Sequence, residues 1–298
     1  MYQFDIRTER RSSSRMIKIP RHEFPTRNVG LLLEVLTPDL QTEIDSLSRN
    51  SEWFTTTLAS AVQVLNVRCA DDPTAAKLET WESCVTAMQV GSALFASARA
   101  NTESVECLID HKRRTIPAGA QSWVDAGNWL TAFWLACVCR EKGRLNELCQ
   151  VPVSLLRNSG AVFDEYLYHW VEALQAYWLQ QPQLGDKLVA AVEGTDPDAI
   201  RHTEAGGVLR LMYPPMNLLT QLVRGDEEKF NAELVKALEW HKDHWTRDDR
   251  EVNPEGFISL GLTAVTCLAR DAGFTITVES EYLPEGLLDA EWVGEFPT

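Results

Sequence analysis

From Val29 onward the apolar residues recur at steps of three and four, a spacing that puts them on one face of a helix. Phe54, Leu58, Ala61 and Leu65 form one such stripe, and Trp81, Val85, Met88, Ser92 and Phe95 form another. Each stripe needs a neighbour to bury it. The second half repeats the theme with Leu167, Trp170, Val171, Leu174, Tyr177 and Trp178, then Phe230, Leu234, Leu238 and Trp245. Turn residues interrupt the stripes at Gly143-Arg144, Pro182-Gln183 and Gly225-Asp226, and links this short make the flanking helices antiparallel neighbours. The unit returns about every 40 to 50 residues, within the range of helical-hairpin solenoids. The predicted fold is therefore mostly α: stacked antiparallel helical hairpins in a solenoid-like bundle.

One stretch breaks the helical period. Val105 to Ile109 and Arg114 to Ile116 flank a polar Asp110-His111-Lys112-Arg113 segment, which predicts a small β-hairpin near residues 103–117 lying against the helices. Trp123, Trp129 and Trp134 fall on different faces of one predicted helix over 122–142, so that helix should be central. Gly91 with Ala87, Ala93, Ala96 and Ala98 gives the preceding helix a side that a neighbour can approach closely, and Pro73 suits an early helical position. A last helix over 255–272 stops at Gly273, and Phe274 to Val278 reads as a short strand. Residues 1–27, basic and Ser-rich, read as a disordered tail; residues 28–298 read as one helical domain. Met16 opens a second plausible start, so residues 1–15 are expected to be dispensable.

A formal net charge of −15 argues against a nucleic-acid binder, which needs a basic stripe, and suits either solubility or the steering of a basic partner. Seven cysteines without C-x-x-C spacing read as small core residues in a reducing compartment; Cys137 and Cys139, about 200° apart around a helix, cannot share a zinc ion. No apolar run approaches the roughly 20 residues of a membrane span, and the start does not read as a secretory signal. The expected location is the cytoplasm.

Phosphate-cradling loops, dinucleotide fingerprints and the serine elbow require glycines at fixed offsets that do not occur. His241 and His244, beside Asp243, Asp248 and Asp249, have the spacing of two metal ligands, but without the intervening Glu of a metalloprotease helix they read as an exposed polar face. Asp164, Glu165, Tyr168, His169 and Glu172 crowd two helical turns; acid–base work is conceivable there, and an acidic first turn complementing the helix dipole is the plainer reading. No catalytic, cofactor or metal residue is assigned.

Several stretches together carry a resemblance: Lys77-Leu78-Glu79-Thr80-Trp81-Glu82, Val85 through Phe95, and Asp125-Ala126-Gly127-Asn128-Trp129-Leu130-Thr131-Ala132-Phe133-Trp134. With Tyr168-His169-Trp170-Val171, Tyr213-Pro214-Pro215-Met216-Asn217, Glu279 to Pro284 and Trp292 to Phe296, the sequence resembles the bacterial immunity protein 49 family from about residue 28 to its end. The resemblance implies a mostly helical, non-enzymatic protein that binds and neutralises a cognate polymorphic toxin encoded beside it. A basic, nuclease-type toxin would suit the acidity. The richest mixtures of acid and aromatic groups mark two expected partner surfaces: Asp164, Glu165, Tyr168 and Glu172, and the favoured C-terminal set Glu279, Glu281, Tyr282, Glu285 and Glu295. A helical-repeat interaction scaffold and a helical hydrolase are the alternative readings.

Overall fold

Asn28 starts the helical body: its side-chain oxygen accepts the Leu31 N–H at 3.1 Å and caps α1 (Val29–Ser46). The structure, a computed structural model, describes residues 16–23, 28–119, 123–295 and 297–298. After α1 come α2 (Phe54–Asp71) and α3 (Leu78–Arg99), packed on each other. The buried Asp72 carboxylate organises the link between them, accepting the N–H groups of Ala76 at 3.1 Å and Lys77 at 2.9 Å and the Thr80 hydroxyl at 2.7 Å. Pro73 belongs to this link and not to an early turn of α3, because Asp72 already supplies the acceptors that open the helix.

The hairpin lies where expected. Strands β2 and β3, here numbered after the short N-terminal β1 (Ile17–Lys18), span Ser104–Ile109 and Lys112–Pro117 and pair antiparallel, with Ile109 opposite Lys112. They rest on α3, where Gln89 accepts the Asp110 N–H at 2.9 Å and the Ser97 hydroxyl donates to the Pro117 carbonyl at 2.9 Å.

Helix α4 (Ala126–Val138) is the central element, packed by α3, α5 (Lys142–Cys149), α6 (Val153–Arg157), α7 (Glu165–Trp178) and α12 (Leu260–Asp271). Its Asp125 cap accepts the Asn128 N–H at 2.9 Å, and Trp129, Phe133 and Trp134 are all buried. Trp123 sits just ahead of α4, not on it. The small side of α3 meets α4 as anticipated: a Cβ on Gly91 would stand 3.0 Å from the Ala132 Cβ.

Between α7 and α12 the chain runs through α8 (Leu184–Glu193), α9 (Ala205–Gly207), a π turn (Val208–Met212), α10 (Tyr213–Arg224) and α11 (Glu227–Trp245). α7 packs on α8 and α10 on α11, so the hairpins of the second half are real. One of the predicted turns shifts: Gly143 lies inside α5 and the chain reverses at Arg140, φ +57°. Pro182 and Gln183 do form the turn between α7 and α8, entered through Gln180 at φ +54°. Gly225, at φ +70°, does end α10 as a glycine should.

The C-terminal region departs most from expectation. The strand read over 274–278 shrinks to β4 (Val278–Glu279), which is followed by α13 (Glu285–Asp289). Its partner is β1, in parallel register, Ile17 with Val278. Residues 16–23, read as part of a tail, are thus a strap on the body; the remaining tail positions, 1–15 and 24–27, lie outside the described residues. All seven cysteines are free and buried, with Cys84 and Cys139 Sγ atoms 3.7 Å apart. No helix among the described residues is long and apolar enough to cross a membrane.

Candidate functional site

The first acidic set surrounds the start of α7 and is largely self-satisfied. Asp164 is 7% exposed, and its carboxylate accepts the N–H groups of Arg201 at 2.7 Å and His202 at 3.2 Å, pinning that loop to the helix. Burial alone would raise its pKa, but these N–H bonds and the Thr203 hydroxyl outweigh it and hold the carboxyl below its ordinary value. Glu165 is exposed and takes a two-pronged bond from Arg157, at 2.8 and 2.6 Å. The same guanidinium lies 3.9 Å over the ring of Tyr168, which is only 4% exposed. Glu172 binds Lys187 at 2.7 Å and faces His169 Nδ1 at 3.3 Å. The carboxylates expected to meet a partner are spoken for, and Asp164 and Tyr168 are removed from the surface because each fills an internal contact.

Three of the second set, Glu279, Glu281 and Glu285, line a groove of about 530 Å³ between the strap and the C-terminal segment. Its floor is apolar, with Ile19, Pro73, Phe274, Ile276, Leu283 and Leu288; its rim is charged, with Lys18, Arg270, Glu279, Glu281 and Glu285. Glu279 pairs with Lys18 at 2.9 Å, Glu281 with Arg21 at 3.6 Å, and Arg270 with Asp289. Glu285 forms no ion pair among the described residues, and both it and Glu295 are exposed.

Tyr282 is the exception in this set, because it is fully buried. Its hydroxyl accepts the backbone N–H of His22 at 2.9 Å and is hydrogen-bonded to His22 Nδ1 at 2.8 Å. Burial lowers the His22 pKa and pushes the tyrosine pKa up to about 12. Alternation cannot reveal this role, since the partner residue lies 260 positions away. Arg21 completes the strap's anchor, donating to the Cys69 and Ala70 carbonyls at 2.7 and 2.8 Å.

His241 and His244 are not an exposed polar face. Both are buried: α11 turns His241 against the 254–257 turn and Tyr282, where its Nε2 donates to the Gly256 carbonyl at 3.0 Å and its ring meets Tyr282 edge to face. Burial drives the His241 pKa down to about 3. His244 faces Arg250 at 3.2 Å. Among the described residues no three His, Cys, Asp or Glu side chains converge as a metal site.

With this geometry in place, comparison with known proteins adds one decisive finding: the family model described as Immunity protein 49 matches residues 72–287, more than half of the chain. The chain belongs to the immunity protein 49 family. No curated protein and no solved structure matches it. The immunity protein 49 segment opens at Asp72, the residue that starts α3, and closes within α13. It takes in the central helix, the hairpin and most of the groove, while α1, α2 and the strap precede it. Trp81, Met88, Trp129 and Trp170, from stretches that suggested the immunity protein 49 family in the first place, are all core residues.

Proposed function

We propose that this chain protects its producer by binding a cognate toxin and performs no chemistry of its own. Membership of an immunity family carries the proposal. The acid–base candidates Asp164 and Glu172 and the metal-ligand candidate His241 support it, because each is engaged in bonds that hold the fold together. The acidity supports a basic partner, such as a nuclease whose own surface must attract phosphate, since a net charge of −15 raises the encounter rate with a positive face.

The groove between strap and C-terminal segment is the surface we assign to the toxin: an apolar floor to desolvate and exposed carboxylates around it. Glu285 on the rim and Glu295, exposed outside the groove's lining, are the cleanest probes of this acidic end, because reversing Glu279 or Glu281 would also set two cations together at the strap. The test is co-expression with the toxin encoded by the adjacent gene. Glu285→Lys with Glu295→Lys should slow association about tenfold at low salt and weaken protection, with the circular dichroism spectrum unchanged. Full protection and unaltered binding by that variant would place recognition elsewhere.

A further inference from the structure

Lys112, Arg113 and Arg114 are the one place in this acidic sequence where three cations follow one another. Strand alternation should send neighbours to opposite faces, and Arg114 is indeed buried while Lys112 and Arg113 are exposed. All three nevertheless line a single groove of about 530 Å³, together with Ser48, Ser104 and Thr115.

Arg114 is the telling member. It is 8% exposed, with Nη1 on Asp45 Oδ1 at 2.6 Å and Nε directed at the Ile109 carbonyl at 3.4 Å. Its Nη2 has no hydrogen-bond partner among the described residues. A buried charged donor left without an acceptor is destabilising, so its persistence asks for one that the described residues do not provide. Lys112 and Arg113 form no ion pair of their own among the described residues, while Asp45 is bound to Arg114 and Glu106 takes the Thr115 hydroxyl. Glu103 also lines the groove and is its opposing charge.

We propose that this groove binds a phosphate group borne by a small molecule, with Arg114 as the inner donor and Lys112 and Arg113 closing over it. A carboxylate is matched by one guanidinium fork; a tetrahedral phosphate offers enough oxygens to engage three cations and the Ser48 and Ser104 hydroxyls at once. The rest of the acidic surface repels a long polyanion, which restricts the ligand to a small one. The site stands apart from the C-terminal groove and does not depend on the toxin reading.

The test titrates the full chain with inorganic phosphate by calorimetry, with chloride holding ionic strength constant. Saturable binding is expected, weakened at least about tenfold in the Lys112→Ala/Arg113→Ala variant, whose exposed positions leave the fold intact by circular dichroism. Pyrophosphate and ADP form parallel arms, and tighter binding of either shows that the phosphate arrives on a larger carrier. Absence of saturable phosphate binding, or equal binding by wild type and variant, overturns the proposal. So does a variant that loses only affinity for the toxin, since the groove is then a protein-docking surface.

Discussion

His241 and Tyr282 carry the least conspicuous chemistry in the molecule. A histidine whose folded pKa lies near 3, against an ordinary 6.5, binds fewer protons folded than unfolded at every pH between those values. Its contribution to stability is complete above about pH 6.5 and is lost as the pH falls toward 3, by about 1.4 kcal/mol for each unit. His22 and His244 shift in the same direction, chiefly through burial, and add to the acid side of the profile. Urea unfolding from pH 7 to pH 4 should therefore show a steep loss of stability, and His241→Phe should flatten it. An unchanged slope in that variant would mean that other groups dominate. Tyr282→Phe should cost about 1–3 kcal/mol at neutral pH, because it strips two bonds from His22 at once. The sequence could not reveal these roles. Spacing shows which face of a helix a histidine occupies, but the burial of His241 depends on the turn at 254–257 and on Tyr282, and His244 packs on Trp245 and faces Arg250.

At the scale of elements, what period and capping control was legible and what distant contacts control was not. The stripes of α2, α3, α7 and α11, the hairpin at 104–117 and the Gly225 reversal all follow from local pattern. Arg140 and Gln180 were missed as turn residues because neither is a glycine or asparagine; each takes the positive φ of a residue that closes its helix, with the next N–H bonded back to Ala136 at 3.0 Å and Ala176 at 2.8 Å, and Arg140 is packed as well. At Arg140 the packing is visible, since its guanidinium donates to the Leu287 and Leu288 carbonyls at 2.9 and 2.7 Å. Gly91 tests the α3–α4 contact. A valine there has no room against Ala132, and Gly91→Val should lower stability by about 1–3 kcal/mol in chemical denaturation, whereas Gly185→Val, open on all sides, should not lose a core contact. The strap offers a second test. Removing residues 1–15 should change stability by less than about 0.5 kcal/mol. Removing residues 1–23 also deletes β1 and the bonds of Arg21 and His22, and should lower the melting temperature clearly.

Across the whole molecule, charge and fold serve different ends. The core is built from helices that need no partner, while the net charge of −15 acts outward. If it steers a basic toxin, the association rate should fall steeply as salt rises and the dissociation rate should change little, because screening acts over about 10 Å at 0.1 M and spares desolvated contacts. Stopped-flow binding across a salt series checks this, and a flat association rate would leave solubility as the sole purpose of the acidity. The acidic excess was plain from composition. Its placement was not, because several of the carboxylates that look densest in sequence, Asp164, Glu279 and Glu281 among them, are tied to cations or N–H groups of their own chain.

The parallel pairing of Ile17 with Val278 also sets a schedule. Lys18 and Glu279, joined across the same two strands, are 261 positions apart. During synthesis at about 5–20 residues per second, the first strand therefore leaves the ribosome on the order of tens of seconds before its partner exists. Throughout that interval Arg21 can already reach the end of α2, but Tyr282, which receives His22, has not been made. The apolar edge beneath the strap is sealed only once Val278 has been made, so a ribosome that stalls before it releases a chain whose first strand has no partner.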